Sequence, residues 1–305
     1  MMRVRIGIVT HNRADILPKA IDAALEQDYP NIELVVFDDA SSDSTPQLAH
    51  QFPQVTWIRS EEPVGYREAR NRLMRETDAD AYCSLDDDSW FLESDAISRG
   101  VGALKENTKL AAVAYDILDE ATPGRRERGP VQAAHTFIGC GHLLRLSAVR
   151  EAGYYEPVPG SYGGEEKDLS IRLLDLGHEI ELHHGVHVWH DKTMASRNVR
   201  QQHSSGVSND LAFAARRFPT PTAVWGIPGK MLSHLLFAIR FALKSDKKRS
   251  AFDRGIVEQI GRWGFIAPTS KGIFNFIVSL PKTLAGRRGV RPATLRAYLS
   301  RARSA

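Results

Sequence analysis

IGIVTHNRADILPKAIDAALEQDYPNIELVVFDDASSDST, residues 6–45, sets two short apolar runs on either side of one helical period. Ile6–Val9 is unbroken by charge, Leu17, Ile21 and Leu25 recur at helical spacing, and Leu34–Phe37 is apolar throughout. Apolar runs of this length suit strands buried on both faces of a parallel sheet, joined by a crossover helix. The alternation continues outward, with strand candidates at Val55–Ile58, Ala81–Leu85 and Ala111–Ala114 and a helix-compatible stretch at Ala69–Arg75. The pattern predicts a Rossmann-like α/β sheet flanked by helices. In such sheets ligands gather at the carboxyl ends of the strands. Three polar clusters fall there: THNR (10–13), DDASSDS (38–44) and DDDS (86–89). Together they define one sheet edge and one site.

Two of these clusters are acidic, and their carboxylates repel one another unless a divalent cation or a cationic ligand sits among them. The first and third carboxylates of Asp86-Asp87-Asp88 can face one ligand across a turn. Hard oxygen donors of this kind suit Mg²⁺ or Mn²⁺, which also bind substrate phosphates. The alternative is an Asp-rich turn that caps a following helix, with Ser89 as N-cap.

Composition bounds the rest. The 305 residues are 42% hydrophobic and 25% charged, a globular balance that excludes disorder over most of the chain. Two cysteines, Cys83 and Cys140, exclude a disulfide scaffold and point to a reducing compartment. The apolar run near the start is too short for a signal peptide core, and no uncharged run of 18 residues occurs, so a cytoplasmic chain is expected. The net charge of +3 conceals a split. Residues 200–305 hold 19 Lys and Arg against 4 Asp and Glu, or +15, while residues 1–199 hold 21 against 33, or −12. Two segments with different tasks are implied.

Residues 6–45 also resemble the opening of family 2 glycosyltransferases of the GT-A fold. The family's order is carried on by GYREARN (65–71), by SLDDD (84–88) at the place of its DxD motif, by GGEEKDLSIRLLDLG (163–177) at its acidic helix start, and by VHVWH (186–190) at its closing strand. The five motifs cover about residues 4–190. The resemblance implies a GT-A catalytic domain over 1–199, a Rossmann-like mixed sheet flanked by helices, with a nucleotide-binding half at about 1–115 and an acceptor half at about 116–199, followed by a basic helical appendage over 200–305. It implies inverting transfer of a hexosyl or deoxyhexosyl group from a UDP-, dTDP- or GDP-linked sugar, with Mg²⁺ or Mn²⁺ on the diphosphate. The acceptor would be a glycan or glycolipid of a cell-envelope polysaccharide pathway.

Residue roles follow from the same resemblance. Thr10, His11, Asn12 and Arg13 would line the base and ribose, Asp39 would accept from the base, and Arg70 would reach the base or diphosphate. Asp86 would bind ribose or a metal-bound water, with Asp87 secondary beside it. Asp88 would hold the metal, and His190 would be a second metal or phosphate ligand. Glu166, with Glu165 as its neighbour in the acidic pair, would take the acceptor proton, and Asp168 would orient the helix or pair with Arg172. Gly139, Gly141 and His142 match the turn flanking the acceptor pocket, and Trp90 and Tyr162 are candidate sugar-stacking aromatics. Simple alternation along the last strand puts His184 and His190 on one face and His187 on the other.

The resemblance ends near residue 200. The basic segment 200–305 has apolar residues at helical spacing, including Leu232, Leu235, Leu236, Ile239 and Leu243. It suits an anionic membrane surface on the inner face of the cell membrane, or a helical appendage packed on the catalytic domain. It contains no recognisable nucleic-acid module. The rival to an enzyme is a catalytically silent scaffold that binds nucleotide sugars. A dehydrogenase would want GxGxxG after the first strand, where THNRAD stands instead.

Overall fold

A computed structural model describes residues 1–120, 122–124, 127, 129–191 and 198–304. Part of the polar loop expected at 119–130 lies outside the described residues. The chain divides into two units. One comprises Met1–Tyr155, Leu169–Lys192 and Ala297–Ala305; the other comprises Glu156–Asp168 and Thr193–Arg296. Residues 156–168 thus group with the C-terminal helices rather than with the sheet.

The first unit is built on one sheet in the order β3-β2-β1-β4-β8-β6-β9-β5. β1 (Val4–Thr10) lies parallel to β2 (Ile32–Asp38) and to β4 (Ala81–Asp86), and β2 lies parallel to β3 (Thr56–Arg59). These are the apolar runs read from sequence: β1 and β2 extend them by three residues and β4 by one, while β3 keeps the length and shifts by one residue. Val4, Ile6, Ile8, Val36 and Leu85 are fully buried, as both-face coverage demands. α1 (Leu17–Leu25) buries Leu17, Ala20, Ile21 and Ala24, the positions one helical face supplies, and Pro18 sits in its first turn, where no amide donor is needed. α2 (Tyr66–Arg75) follows β3, and α3 (Ala96–Glu106) precedes β6 (Leu110–Leu118).

The sheet turns mixed at β8 (His142–Arg145), which is antiparallel to both β4 and β6. β9 (Glu179–His190) runs parallel to β6, and its last residues pair antiparallel with β5 (Ser89–Phe91). β7 (Gln132–Ala133) pairs with β9, and α4 (Leu146–Ala152) follows β8. Simple alternation does not run through β9. Its register shifts between His183 and His187, around Gly185 at φ +76°. His184 turns to Asp116 (Nδ1 to Oδ1, 3.0 Å) and His187 to Glu93 (2.8 Å). A bulge of this kind removes the two-residue period on which the facing argument rests.

The second unit is helical: α6 (Val199–Arg217), α7 (Thr220–Leu243), α8 (Ala251–Ile260) and α9 (Ile266–Ala285). α5 (Glu165–Asp175) begins in this unit and ends in the first, and α10 (Pro292–Ser304) also spans both. Val207, Leu211, Ala212 and Ala215 of α6 close with Phe276 of α9 into a core that Ile227 and Met231 of α7 flank.

Candidate active site

β1, β2 and β4 deliver their polar clusters to one edge. β1 ends at Thr10, and Asn12 then takes a left-handed conformation (φ 55°), which asparagine tolerates better than most residues. The Asn12 side-chain oxygen accepts from the amides of Ser42 (2.7 Å) and Asp43 (3.2 Å), so the first and second loops are stitched together. The His11 ring lies 2.7 Å from the Asp39 carbonyl. Asp38 holds its own turn by accepting from the Ser41 amide at 2.9 Å and pairs with Arg59. Asp39 is buried and accepts from the amides of Val64 (2.7 Å) and Gly65 (2.8 Å), the entry to α2. Asp39 therefore ties the second loop to the helix that carries Arg70.

The third cluster is the most charged. Asp86 ends β4, and its turn is closed by Ser89, whose hydroxyl accepts from the Asp86 amide (2.8 Å) and donates to the Asp86 carbonyl (3.1 Å). The next element is the strand β5, so Ser89 caps a turn and not a helix. Buried Arg70 pairs with Asp86 and stacks its guanidinium 5.1 Å from the Tyr66 ring centre. Arg13 stands 3.9 Å from Asp87. Burial, reinforced by the charges of Asp88 and Asp86, pushes the Asp87 carboxyl up to about 7, against the opposing pull of Arg13. His190 at the end of β9 brings Nε2 to 3.3 Å from Asp88 Oδ1, and the Asp191 amide donates to the Asp88 carbonyl at 2.8 Å.

The residues present fit a divalent cation. Ligand atoms of Asp86, Cys140 and His190 all lie within 4.8 Å of one another, and Asp88 adds a carboxylate at His190. The acidic repulsion written in Asp87 is what a cation relieves. Cys140 was absent from the sequence-read set. Its buried Sγ lies 3.4 Å from His190 Nδ1, a second partner that orients the imidazole and leaves Nε2 toward Asp88. Its signal was its place one residue after Gly139, in the turn that enters β8.

The family model described as Glycosyl transferase family 2 matches residues 5–151. That match, over just under half of the chain, makes residues 5–151 a glycosyl transferase family 2 segment. Two structures of the GT-A fold align over nearly the full length of the chain. A mannosyltransferase from Pyrobaculum calidifontis, in complex with GDP-Man and Mn²⁺, is 17% identical with a TM-score of 0.56, covering 93% of this chain and 87% of that one. TarS 1-349 of S. aureus, in complex with UDP-GlcNAc, is 14% identical with a TM-score of 0.60, covering 94% and 93%. Among curated proteins, poly-beta-1,6-N-acetyl-D-glucosamine synthase of Staphylococcus epidermidis is 22% identical over 169 residues, 49% of this chain and 41% of that protein. Succinoglycan biosynthesis protein ExoO of Rhizobium meliloti is 35% identical over 71 residues, 22% of this chain and 20% of that protein. The chain thus spans less than half the length of these curated relatives.

The residues expected on the acceptor side fall in both units. Gly141 packs in the sheet, where an added Cβ would lie 2.6 Å from Ile117 and 3.0 Å from Val188. His142 is fully buried on β8, bonded to the Ile138 carbonyl at 2.8 Å, with its ring tilted against Phe137 at 4.4 Å between centres. Trp90 lies opposite Trp189 in the β5–β9 ladder, with Lys19 Nζ 5.4 Å from its ring centre. Tyr162 lies in the second unit, as do Glu165 and Glu166.

In that unit the loop before α5 is held by a residue sequence reasoning missed. Asn209 of α6 accepts from the Gly160 amide (2.6 Å) and donates to the carbonyls of Tyr162 (3.0 Å) and Gly163 (2.5 Å). Gly163 and Gly164 both take positive φ (73° and 96°), which glycine alone adopts without strain. Glu165 is buried at the start of α5, whereas Glu166 is half-buried. A pocket of about 360 Å³ opens beside them, lined in part by half-exposed Tyr162, Lys167, His203, Asn209, Asp210 and Phe213. Asp210 receives Lys167 (2.6 Å), Lys230 (2.7 Å) and His234 (3.1 Å). The hydrogen bond from His234 and the charges of the two lysines outweigh burial and hold its carboxyl far below the usual range.

His142 makes acid stability testable. Burial pushes its pKa down to about 3, with Arg70 adding to the fall, so the folded chain keeps it neutral. The unfolded chain takes up that proton first, at about 6.5, so stability falls as pH drops from about 6.5 toward 3. Melting temperatures across this range should decline more shallowly in His142→Asn, after its constant loss is subtracted. Parallel wild-type and variant curves would contradict the assignment.

Proposed function

We propose that this chain is an inverting glycosyltransferase, moving a sugar from a nucleotide-diphosphate donor to a hydroxyl of a glycan or lipid-linked acceptor. One observation carries the reading: Asp86 and Asp88, from one turn after β4, meet His190, from the far end of β9, at the strand ends where a diphosphate would sit. The complexes of the structural relatives, with GDP-Man and Mn²⁺ and with UDP-GlcNAc, support a nucleotide-sugar donor. The names of the curated relatives support work in polysaccharide biosynthesis.

Asp88 and His190 would hold a Mg²⁺ or Mn²⁺ ion, with Asp86 beside them. When bound, the cation offsets the charge that develops on the leaving diphosphate. Arg70, fixed by Asp86 and Tyr66, supplies a further positive charge at the same edge. Thr10, His11, Asn12, Arg13 and Asp39 form the loop wall for base and ribose. Inversion is a single displacement. The acceptor oxygen bonds to the anomeric carbon, the bond from that carbon to the diphosphate breaks, and the hydroxyl proton passes to Glu166. Tyr162 and the pocket beside it would receive the acceptor. A lipid-linked acceptor would set the reaction at the inner face of the cell membrane.

Thermal shift tests the donor side directly. UDP, GDP or dTDP should raise the melting temperature in the presence of Mn²⁺ and much less without it, since a ligand at 100 times its Kd stabilises by about 2.7 kcal/mol. Asp88→Asn should erase the difference between the two conditions. If no nucleotide shifts the wild-type protein, the acidic edge is not a donor site.

A further inference from the structure

α7 and α9 are apolar on more than one side. Their inward residues, Ile227 and Met231 on α7 and Ile273, Phe276 and Leu280 on α9, pack around α6. A second set points outward. On α7 it comprises Trp225, Leu232, Leu236, Ile239 and Leu243, spaced 7, 4, 3 and 4 residues apart, which places them along one face of the helix. On α9 it comprises Phe274, Ile277, Val278 and Leu284. Trp225 is 81% exposed, and Phe274 and Val278 are 64% and 65% exposed. An apolar helix face of this extent normally finds a partner.

The charge on these helices is one-sided. Neither contains an Asp or Glu, while α7 carries Lys230 and Arg240 and α9 carries Lys271 and Lys282. Exposed Lys247, Lys248 and Arg262 lie on the stretches before α8 and α9. Of the four acidic residues after position 199, Asp210, Asp246 and Asp253 are tied to lysines or arginines. The partner must therefore offer apolar depth and negative charge together. A second copy would set one +15 segment against another. No helix among the described residues is long and apolar enough to cross a membrane.

We infer that the outward faces of α7 and α9 dock on the surface of an anionic phospholipid bilayer. The apolar stripes enter the boundary between headgroups and acyl chains, and Arg240, Lys247, Lys248, Lys271 and Lys282 meet the headgroups. Each basic residue at the surface raises binding about fivefold, so a few suffice for reversible attachment. The inference is independent of which sugar is transferred, and the vesicle experiment and the transfer assay can fail separately.

The test uses the full chain and extruded vesicles of phosphatidylcholine, alone or with about 30% phosphatidylglycerol. Sedimentation should show at least about tenfold tighter binding to the anionic vesicles, weakening as salt rises from about 0.1 to 0.5 M. Acyl-brominated lipid should quench tryptophan fluorescence, and Trp225→Phe should remove much of that quenching. Leu232→Ser with Leu236→Ser and Leu243→Ser should cut vesicle binding about tenfold or more at an unchanged melting temperature, because these side chains are exposed. Absence of binding to anionic vesicles overturns the inference. So does quenching that Trp225→Phe leaves intact, or binding that the triple variant retains. A wild-type dimer that the triple variant makes monomeric assigns the face to a second copy instead.

Discussion

Glu166→Gln should lower kcat for glycosyl transfer by about 10³-fold, within the range a general base contributes, while the Kd for the nucleotide diphosphate stays within about twofold. The expectation rests on position as much as on chemistry. Glu165 and Glu166 both open α5, where the helix dipole favours a carboxylate. Glu165 is buried, and Glu166 is the more exposed of the two. Only a carboxylate that meets solvent can meet an acceptor hydroxyl. Gln keeps the shape and hydrogen bonding of Glu but cannot take the proton. Steady-state transfer and calorimetric nucleotide binding, measured on the same preparation, separate base from binder. A variant with near wild-type kcat would remove Glu166 from the mechanism and turn attention to Glu165.

Arg217→Met should cost about 3–5 kcal/mol of stability, the largest loss expected from a single replacement outside the hydrophobic core. Arg217 has no exposed surface. Its guanidinium reaches Asp168 at 2.6 and 2.9 Å and Glu156 at 2.6 Å. Removing it takes the guanidinium from the buried Asp168 carboxylate and leaves Glu156 its longer contact to Arg216 at 3.8 Å. The same variant bearing Asp168→Leu and Glu156→Gln should recover much of the loss, because stranded charge and not the missing bond dominates the cost. Urea unfolding of both variants gives the comparison. A loss below about 1 kcal/mol for Arg217→Met would show that the buried ion pairs contribute little. Asp168 lies in the first turn of the helix that carries Glu166, so the single variant should also depress kcat.

Much of this was legible in the chain. Ile6–Val9, Leu34–Phe37 and Ala81–Leu85 are apolar throughout and became the parallel strands of the sheet, because only strands covered on both faces carry such runs. The polar clusters that end them had to share an edge once those strands ran parallel. Cys140 was not legible, because a lone buried thiol looks like any small core residue until His190 is placed beside it. Asn209 and Arg217 were hidden for the same reason. Their partners lie 49 residues away in sequence, at Gly160 and Asp168, and no local pattern announces a contact of that range. The bulge at Gly185 was missed because alternation assumes an unbroken ladder.

The sequence by itself determined the family resemblance of the first half, the α/β order of elements, the acidic edge and the uneven charge of the two segments. These depend on residue type at short spacing, which periodicity and motif express directly. The tertiary structure alone decided that β8 is the strand that enters antiparallel between β4 and β6, that Cys140 comes to His190, that residues 156–168 group with the C-terminal helices, and that α7 and α9 keep an apolar face turned outward. Each of these is a choice of partner between distant stretches, made by packing and by the pairing of buried charge, and such choices exist only once the chain has closed on itself.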